Sequence, residues 1–401
     1  MVIELLDDVG LRAWGARLAL PEAAVDELAA VAQMVREDET LSAIFAEFHL
    51  KTAVEGRWHR EWTPLPFDER VQAVLSERVS LFYLLAYLAA LPYAEREYRR
   101  RGIGMDIFLA TMSDLRIWFC HEYDLDGNWT FRQFSWVWRH LSCELFRLGR
   151  MQYMLKPFDG SVSAYRRRGT GEIRLLAGAE MLLRPDGNAL GAGRTRPEDP
   201  FFQDRSQPID EVWSPVFEAR RDGWWGHPVS PYGCVLKDPR LLPCADWEPV
   251  LQPGDTVLDM HIPRKDPFTL EACRDSLRQA YEFFGQQAPD RPFKAGYCHT
   301  WFFTPQLNQI LPPESNILRF QREFYLYPFP GTPAFLWDYV FGEKVRSLAQ
   351  APRDTSLRRS VLDWLKGGGE MFDLAGVTFH GPEEWGSQPY IARWDQGQDA
   401  I

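Results

Sequence analysis

The chain has 401 residues, 45% hydrophobic and 25% charged, with a formal net charge of −11, a composition that suits about two to three soluble domains with ordinary cores. The negative balance argues against a general nucleic-acid binder, whose phosphate contacts need a basic surface, but it leaves room for a small anion in a local basic pocket. No apolar run approaches the roughly 20 residues of a membrane span, the N-terminus lacks the regions of a signal peptide, and the six scattered cysteines form no C-x-x-C pair, so the expectation is a cytoplasmic protein with reduced thiols, no metal site and no membrane or nucleic-acid partner.

Residues 1–150 read as mostly helical. PEAAVDELAAVAQMVRED (21–38) is built of helix formers, with Pro21 suited to a first turn. The segment ERVQAVLSERVSLFYLLAYLAALPYAEREYRRR (69–101) is one long apolar-periodic stretch, and IFLATMSDLRIWFCHEY and FRQFSWVWRHLSCELFRLG come after it. The near-helical spacing of aromatics in the last of these suits a helix-to-helix core.

After Gly149 the texture changes to short alternating runs between Gly, Pro, Asp and Asn, the signs of strands and hairpins. Residues 184–212 read as a long irregular connection. From 255 onward the order is strand (257–262), helix (269–285), strand (293–303), helix (305–311), strand (318–329), helix (356–366) and strand (375–380).

Where the strand 257–262 hands over to the helix 269–285 stands Pro263-Arg264-Lys265-Asp266-Pro267. A helix N-terminus presents unsatisfied N–H groups and a partial positive charge, so it attracts anions, phosphate above all. Arg264 and Lys265 add full charges there, one a bidentate fork and the other a flexible point charge. Asp266-Pro267 or Thr269 can cap the helix. Arg166-Arg167-Arg168-Gly169-Thr170-Gly171 fits R-x-x-G-x-G literally. The segment after Gly171 reads as strand-turn-strand, so this loop lacks the helix that would give it a pull on phosphate.

The strand 293–303 carries Tyr297, Cys298, His299, Thr300 and Trp301. Alternation puts Cys298, Thr300 and Phe302 on one face and Tyr297, His299 and Trp301 on the other. His299 is a candidate base and Cys298 a candidate proton donor, while neighbours in a strand cannot form a Cys–His dyad with each other. His261, His299 and His380 lack the local spacing of a facial metal triad.

WEPVLQPGDTVLDMHIP, then CRDSLRQAYEFF, then CHTWFFTPQLNQILPPESNILRFQREF make the chain similar to the bacterial acyltransferase family with a GNAT-like C-terminal domain. GNAT denotes N-acetyltransferases related to the Gcn5 type. The HIP, C-x-x-W and SNI motifs fall in order, and members pair this domain with a helical N-terminal domain. The resemblance implies an α+β fold, with a helical domain over 1–145 and a GNAT-like mixed β-sheet with flanking helices over 146–401. It implies an acyl-CoA donor, acetyl-CoA or longer, and a small-molecule amine acceptor. It also implies that Met260, Ile262, Arg264, Lys265, Asp266, Thr269 and Asn308 serve the cofactor, with a backbone N–H near Met260–Ile262 holding the thioester oxygen. His261 or His299 would be the base, and Tyr297 or Cys298 the acid. The loop departs from the family pattern in having no glycine. A GNAT-shaped module that binds a ligand or partner without catalysis is the alternative; CoA release with an amine separates the two.

Overall fold

The computed structural model describes residues 7–50, 69–190, 211–264, 266–330, 334–345 and 347–387. It divides into two compact units, Met1–Met154 with Ile262–Pro267 and Leu155–His261 with Phe268–Ile401. The second stretch of the first unit is a loop returning from far along the chain.

The first unit is helical: α1 (Asp8–Arg17), α2 (Glu22–Glu37), α3 (Glu39–His49), α4 (Glu69–Leu75), α5 (Val79–Arg100), α6 (Met105–Met112), α7 (Asp114–Asp126) and α8 (Phe134–Leu141). Asp7 and Asp38 cap α1 and α3 by accepting from backbone N–H groups one turn on. Pro21 stands one step earlier than expected, at the N-cap of α2. The long periodic stretch is broken after Leu75 by Ser76, whose φ of 51° no alanine-like pattern announces. The stretch Glu69–Arg100 is long and apolar enough by length and composition to cross a membrane, but 61% of its apolar window is buried inside the fold, as expected of a core helix. Tyr87 and Tyr98 of α5 are fully enclosed, and Tyr98 donates to the His140 carbonyl at 2.9 Å. The unit closes with the hairpin β1 (Phe146–Leu148) and β2 (Met151–Pro157).

On α5, Arg100 and Arg101 hold Glu97 at 2.7 and 2.6 Å, and the hydrogen bond from Arg100 above all lowers its carboxyl to about 2. A depressed carboxylate stabilises the fold above its ordinary value of 4.5, and that contribution disappears as pH falls toward about 2. The partners are well exposed, so the expected loss in Glu97→Gln is about 1 kcal/mol or less. Thermal melts should show the variant and wild type converging as the pH is lowered from 4.5 toward 2.

The second unit begins with a meander. Strands β3 (Val162–Arg167) and β4 (Ile173–Ala177) form a hairpin whose loop holds Gly169 and Gly171, both at positive φ. The R-x-x-G-x-G stretch therefore lies on a hairpin, as the strand pattern after it predicts. Strands β5 (Phe217–Arg220), β6 (Gly223–Gly226) and β7 (Arg240–Pro243) make one three-stranded sheet; β8 (Trp247–Leu251) joins β3 in the other. Most of the irregular connection 184–212 lies outside the described residues.

Then come β9 (Thr256–His261), α9 (Leu270–Gln287), β10 (Ala295–His299), α10 (Leu307–Ile310), α11 (Asn316–Gln321), β11 (Tyr325–Pro328), α12 (Ala334–Val340), α13 (Ser356–Lys366) and β12 (Leu374–Thr378). Strands run in the order β9-β10-β12-β11, with β9 and β10 parallel and the other pairs antiparallel. A strand-helix-strand crossover favours that parallel pairing. Gly296 lets the strands close, since a Cβ there would strike Met260 and Thr378.

Two expectations need correction. The strand 293–303 ends at His299: Thr300 accepts from the Phe302 N–H, and Trp301–Phe303 turn into a 3-10 helix, so the facing pattern stops before Thr300. The strand 318–329 is helix α11 followed by β11. Ser315, read as a turn former, is the N-cap and accepts from the Leu318 N–H at 3.3 Å.

Candidate active site

Strand pleating assembles the site in the second unit. The ladder runs Ala295↔Val257, Gly296↔Leu258, Tyr297↔Asp259, Cys298↔Met260. Residues level across parallel strands face the same way, and alternate residues share a face. Asp259, Tyr297, His261 and His299 therefore occupy one face at the C-terminal ends of two adjacent strands. On that face Val257, Ala295 and Tyr297 pack against Phe158, Val162, Ala164 and Leu251. Leu258, Met260 and Cys298 turn the other way.

His299 is held from two sides. Its Nε2 lies 3.0 Å from both oxygens of Asp373, whose side chain is 6% exposed. Its ring stacks on Phe329 at 4.1 Å. Asp373 immediately precedes β12, which pairs with β10, and its carbonyl accepts from the Phe329 N–H at 3.1 Å. Three neighbouring strands thus fix the imidazole. With Asp373 accepting from Nε2–H, Nδ1 is the nitrogen of the ring that takes a proton.

His261 Nε2 stands 3.3 Å from Asp259 Oδ2, at ion-pair distance. The same oxygen is 3.6 Å from Lys156 Nζ, which also meets Asp159 at 3.1 Å and sits 4.2 Å over the Tyr297 ring. Asp259 is buried, and its Oδ1 takes no hydrogen bond among the described residues. Burial first, and then the Asp259 carboxylate, push the Tyr297 phenol far up. Burial likewise raises the Cys298 thiol well above its usual range. Both keep their protons at neutral pH. Tyr297 shares the face of the two imidazoles; Cys298 faces away from them.

The candidate cofactor residues divide. Thr269 is the cap of α9, accepting from the Ala272 N–H at 3.2 Å. Asp266 is engaged by Arg147 instead, and Arg150 donates to the carbonyls of Asp266 and Pro267 at 3.1 and 2.9 Å. Arg264 lies over Trp118 at 5.5 Å. Met260 is buried and Ile262 half-buried past the strand end. Asn308 ties α10 to Gln321 of α11 and to the Pro305 carbonyl, which suits a structural role. Lys265 lies outside the described residues. Sequence reasoning missed Asp259, Asp373, Lys156 and Arg147. Of these only Asp259 carried a local signal, a carboxylate inside a strand of otherwise buried residues. His261, His299 and His380 pair separately with Asp259, Asp373 and Glu323, and no cluster of three or more metal-ligating side chains occurs among the described residues.

Residues 11–143 match the N-acyltransferase N-terminal domain, and residues 145–378, more than half of the chain, match the GNAT-like C-terminal domain. The chain belongs to the acyltransferase family that joins an N-acyltransferase N-terminal domain to a GNAT-like C-terminal domain. No curated protein matches this acyltransferase. Among solved structures it is similar to an acyltransferase in complex with decanoyl-CoA and teicoplanin, at 19% identity and a TM-score of 0.60, over 92% of this chain and 87% of that one. A mutant acyltransferase in complex with octanoyl-CoA gives 19% and 0.59 over the same shares. An acyltransferase in complex with CoA and 10C-teicoplanin gives 19% and 0.60, again over those shares. At such identity the likeness speaks for the fold of the acyltransferase alone.

Proposed function

We propose that this acyltransferase moves an acyl group from acyl-CoA directly to a small-molecule primary amine, with His299 as the base. The observation that carries the assignment is the Asp373 carboxylate, which holds the imidazole by Nε2 at 3.0 Å. Acyl transfer to nitrogen needs a neutral amine, so a proton must leave the ammonium before or during attack. His299 takes that proton. The amine nitrogen forms its bond to the thioester carbon, the C–S bond breaks, and the thiolate of CoA leaves to collect a proton. Tyr297, a phenol on the same face that holds its proton at neutral pH, supplies it. The oxyanion of the intermediate needs a donor, and a backbone N–H near the end of β9, around Met260–Ile262, suits that position.

Structures similar in fold were captured with octanoyl- and decanoyl-CoA and with teicoplanin, so medium-chain donors are the first to try. The test is release of free CoA thiol with a panel of primary amines, with product mass measured alongside. We expect one amide bond per CoA released. Tight binding of acyl-CoA without release, whatever the amine, would favour the non-catalytic module instead.

A further inference from the structure

Lys156 takes no part in the proton transfers from the amine or to the thiolate, yet it stands beside the residue that makes the second of them. Its Nζ lies 4.2 Å over the Tyr297 ring, 3.6 Å from Asp259 Oδ2 and 3.1 Å from Asp159 Oδ1. All four residues belong to the second unit. The lysine side chain is 21% exposed and that of Asp259 only 6%. Lysine heads ordinarily reach for open water; this one rests on an aromatic face between two carboxylates.

Tyr297 gives up its proton among groups that oppose the loss. Burial first, then Asp259, Asp159, Cys298 and Asp373, favour the protonated phenol, and the enclosed Tyr327 phenol feels the same carboxylates. Asp259 stands level with Tyr297 in the β9–β10 ladder and also meets His261 at 3.3 Å. A phenolate formed here without a cation would face the Asp259 carboxylate where like charges repel strongly. An ammonium over the ring attracts its electron-rich face and the charge it acquires. We propose that Lys156 acts through Tyr297, as the cation that holds the phenolate formed when Tyr297 gives its proton to the departing thiolate. The inference rests on the acyl-transfer reading with Tyr297 as the acid, and adds the group that makes this acid workable. As the C–S bond breaks, its electron pair goes to sulfur; the Tyr297 O–H bond then breaks and an S–H bond forms. Solvent returns a proton to the phenolate and collects the one that His299 took, so protons and charge balance over the cycle.

The experiment places tetrafluorotyrosine, a much stronger acid than tyrosine, at position 297 of the full chain. That phenol titrates while Lys156 is still charged, and fluorine NMR follows it alone. Lys156→Met should raise its midpoint by about one pH unit or more, the effect of a nearby charge, and Lys156→Arg should keep most of the wild-type value. The same rise should appear in the Asp259→Asn background, which also spares the variant a stranded buried carboxylate. A rise that vanishes with Asp259→Asn makes Lys156 merely the counter-ion of that carboxylate and overturns the inference, as does no rise at all. Turnover of octanoyl-CoA with the fastest primary amine of the panel is the second readout. Lys156→Met should slow it by about tenfold or more and cost nothing further in the Tyr297→Phe background, since a residue that acts through another is silent without it. Losses that multiply in that double variant overturn the inference. Full turnover by Tyr297→Phe overturns it together with the acid role of Tyr297, and leaves amide formation standing. No CoA release with any amine overturns the acyl-transfer reading as well.

Discussion

Replacing His299 by Gln should lower turnover by about a hundred- to ten-thousandfold, the usual worth of a positioned general base. Glutamine is chosen because its amide can still donate to Asp373 but cannot accept a proton at neutral pH. The affinity for acyl-CoA should change little, since a base acts on the amine rather than on the donor; calorimetry with acetyl-CoA separates the two effects. The imidazole is 28% exposed, so thermal stability should move only slightly. Asp373→Asn should also slow turnover, by less, because it disturbs the orientation of the ring and leaves the ring in place. His261→Gln is the control on the neighbouring strand. If His261→Gln collapses the rate and His299→Gln does not, the base is His261, and the pair with Asp259 takes over the role given to the pair with Asp373.

The parts of this site that the sequence revealed are those whose causes are local. Alternation over Thr256–His261 and the stripe of Leu270, Cys273, Leu277, Ala280 and Phe284 announce a strand and a helix, and the crossover between them dictates parallel pairing. Thr269 as a cap comes from the same short-range logic. Asp373 was invisible because it meets His299 across 74 positions, and nothing near either residue names the other. Arg147 meets Asp266 across 119. There, of the two caps the sequence offered, Asp266-Pro267 or Thr269, the helix takes Thr269, and Asp266 pairs with Arg147 of the β1–β2 hairpin. The segment Asn316–Gln321 was misread for a different reason. Its apolar residues at Ile317, Leu318 and Phe320 suit either period over so short a run, and the Ser315 cap that decides for a helix is also a common turn residue.

Glu323→Ala should destabilise the second unit by about 1–3 kcal/mol, the cost of leaving a buried hydrogen-bonding group without its partner. Glu323 is fully enclosed, His380 is 7% exposed, and Oε2 lies 3.0 Å from Nε2. Thr378 Oγ1 sits 3.3 Å from the other ring nitrogen. Phe320 and Phe324 pack against Trp385 close by in the chain, so little water is at hand to replace the lost carboxylate. For a unit of this size the melting temperature should fall by roughly 2–12 °C. The double variant Glu323→Leu/His380→Phe tests the cause. Removing both polar partners and refilling the space with apolar atoms leaves no stranded imidazole, so it should recover most of the loss or exceed wild type. A double variant as unstable as Glu323→Ala would show that the shape of these side chains, and not the polar group left unpaired, is what the fold depends on. A single variant within about 0.5 kcal/mol of wild type would mean that solvent reaches the pair and that its burial contributes little.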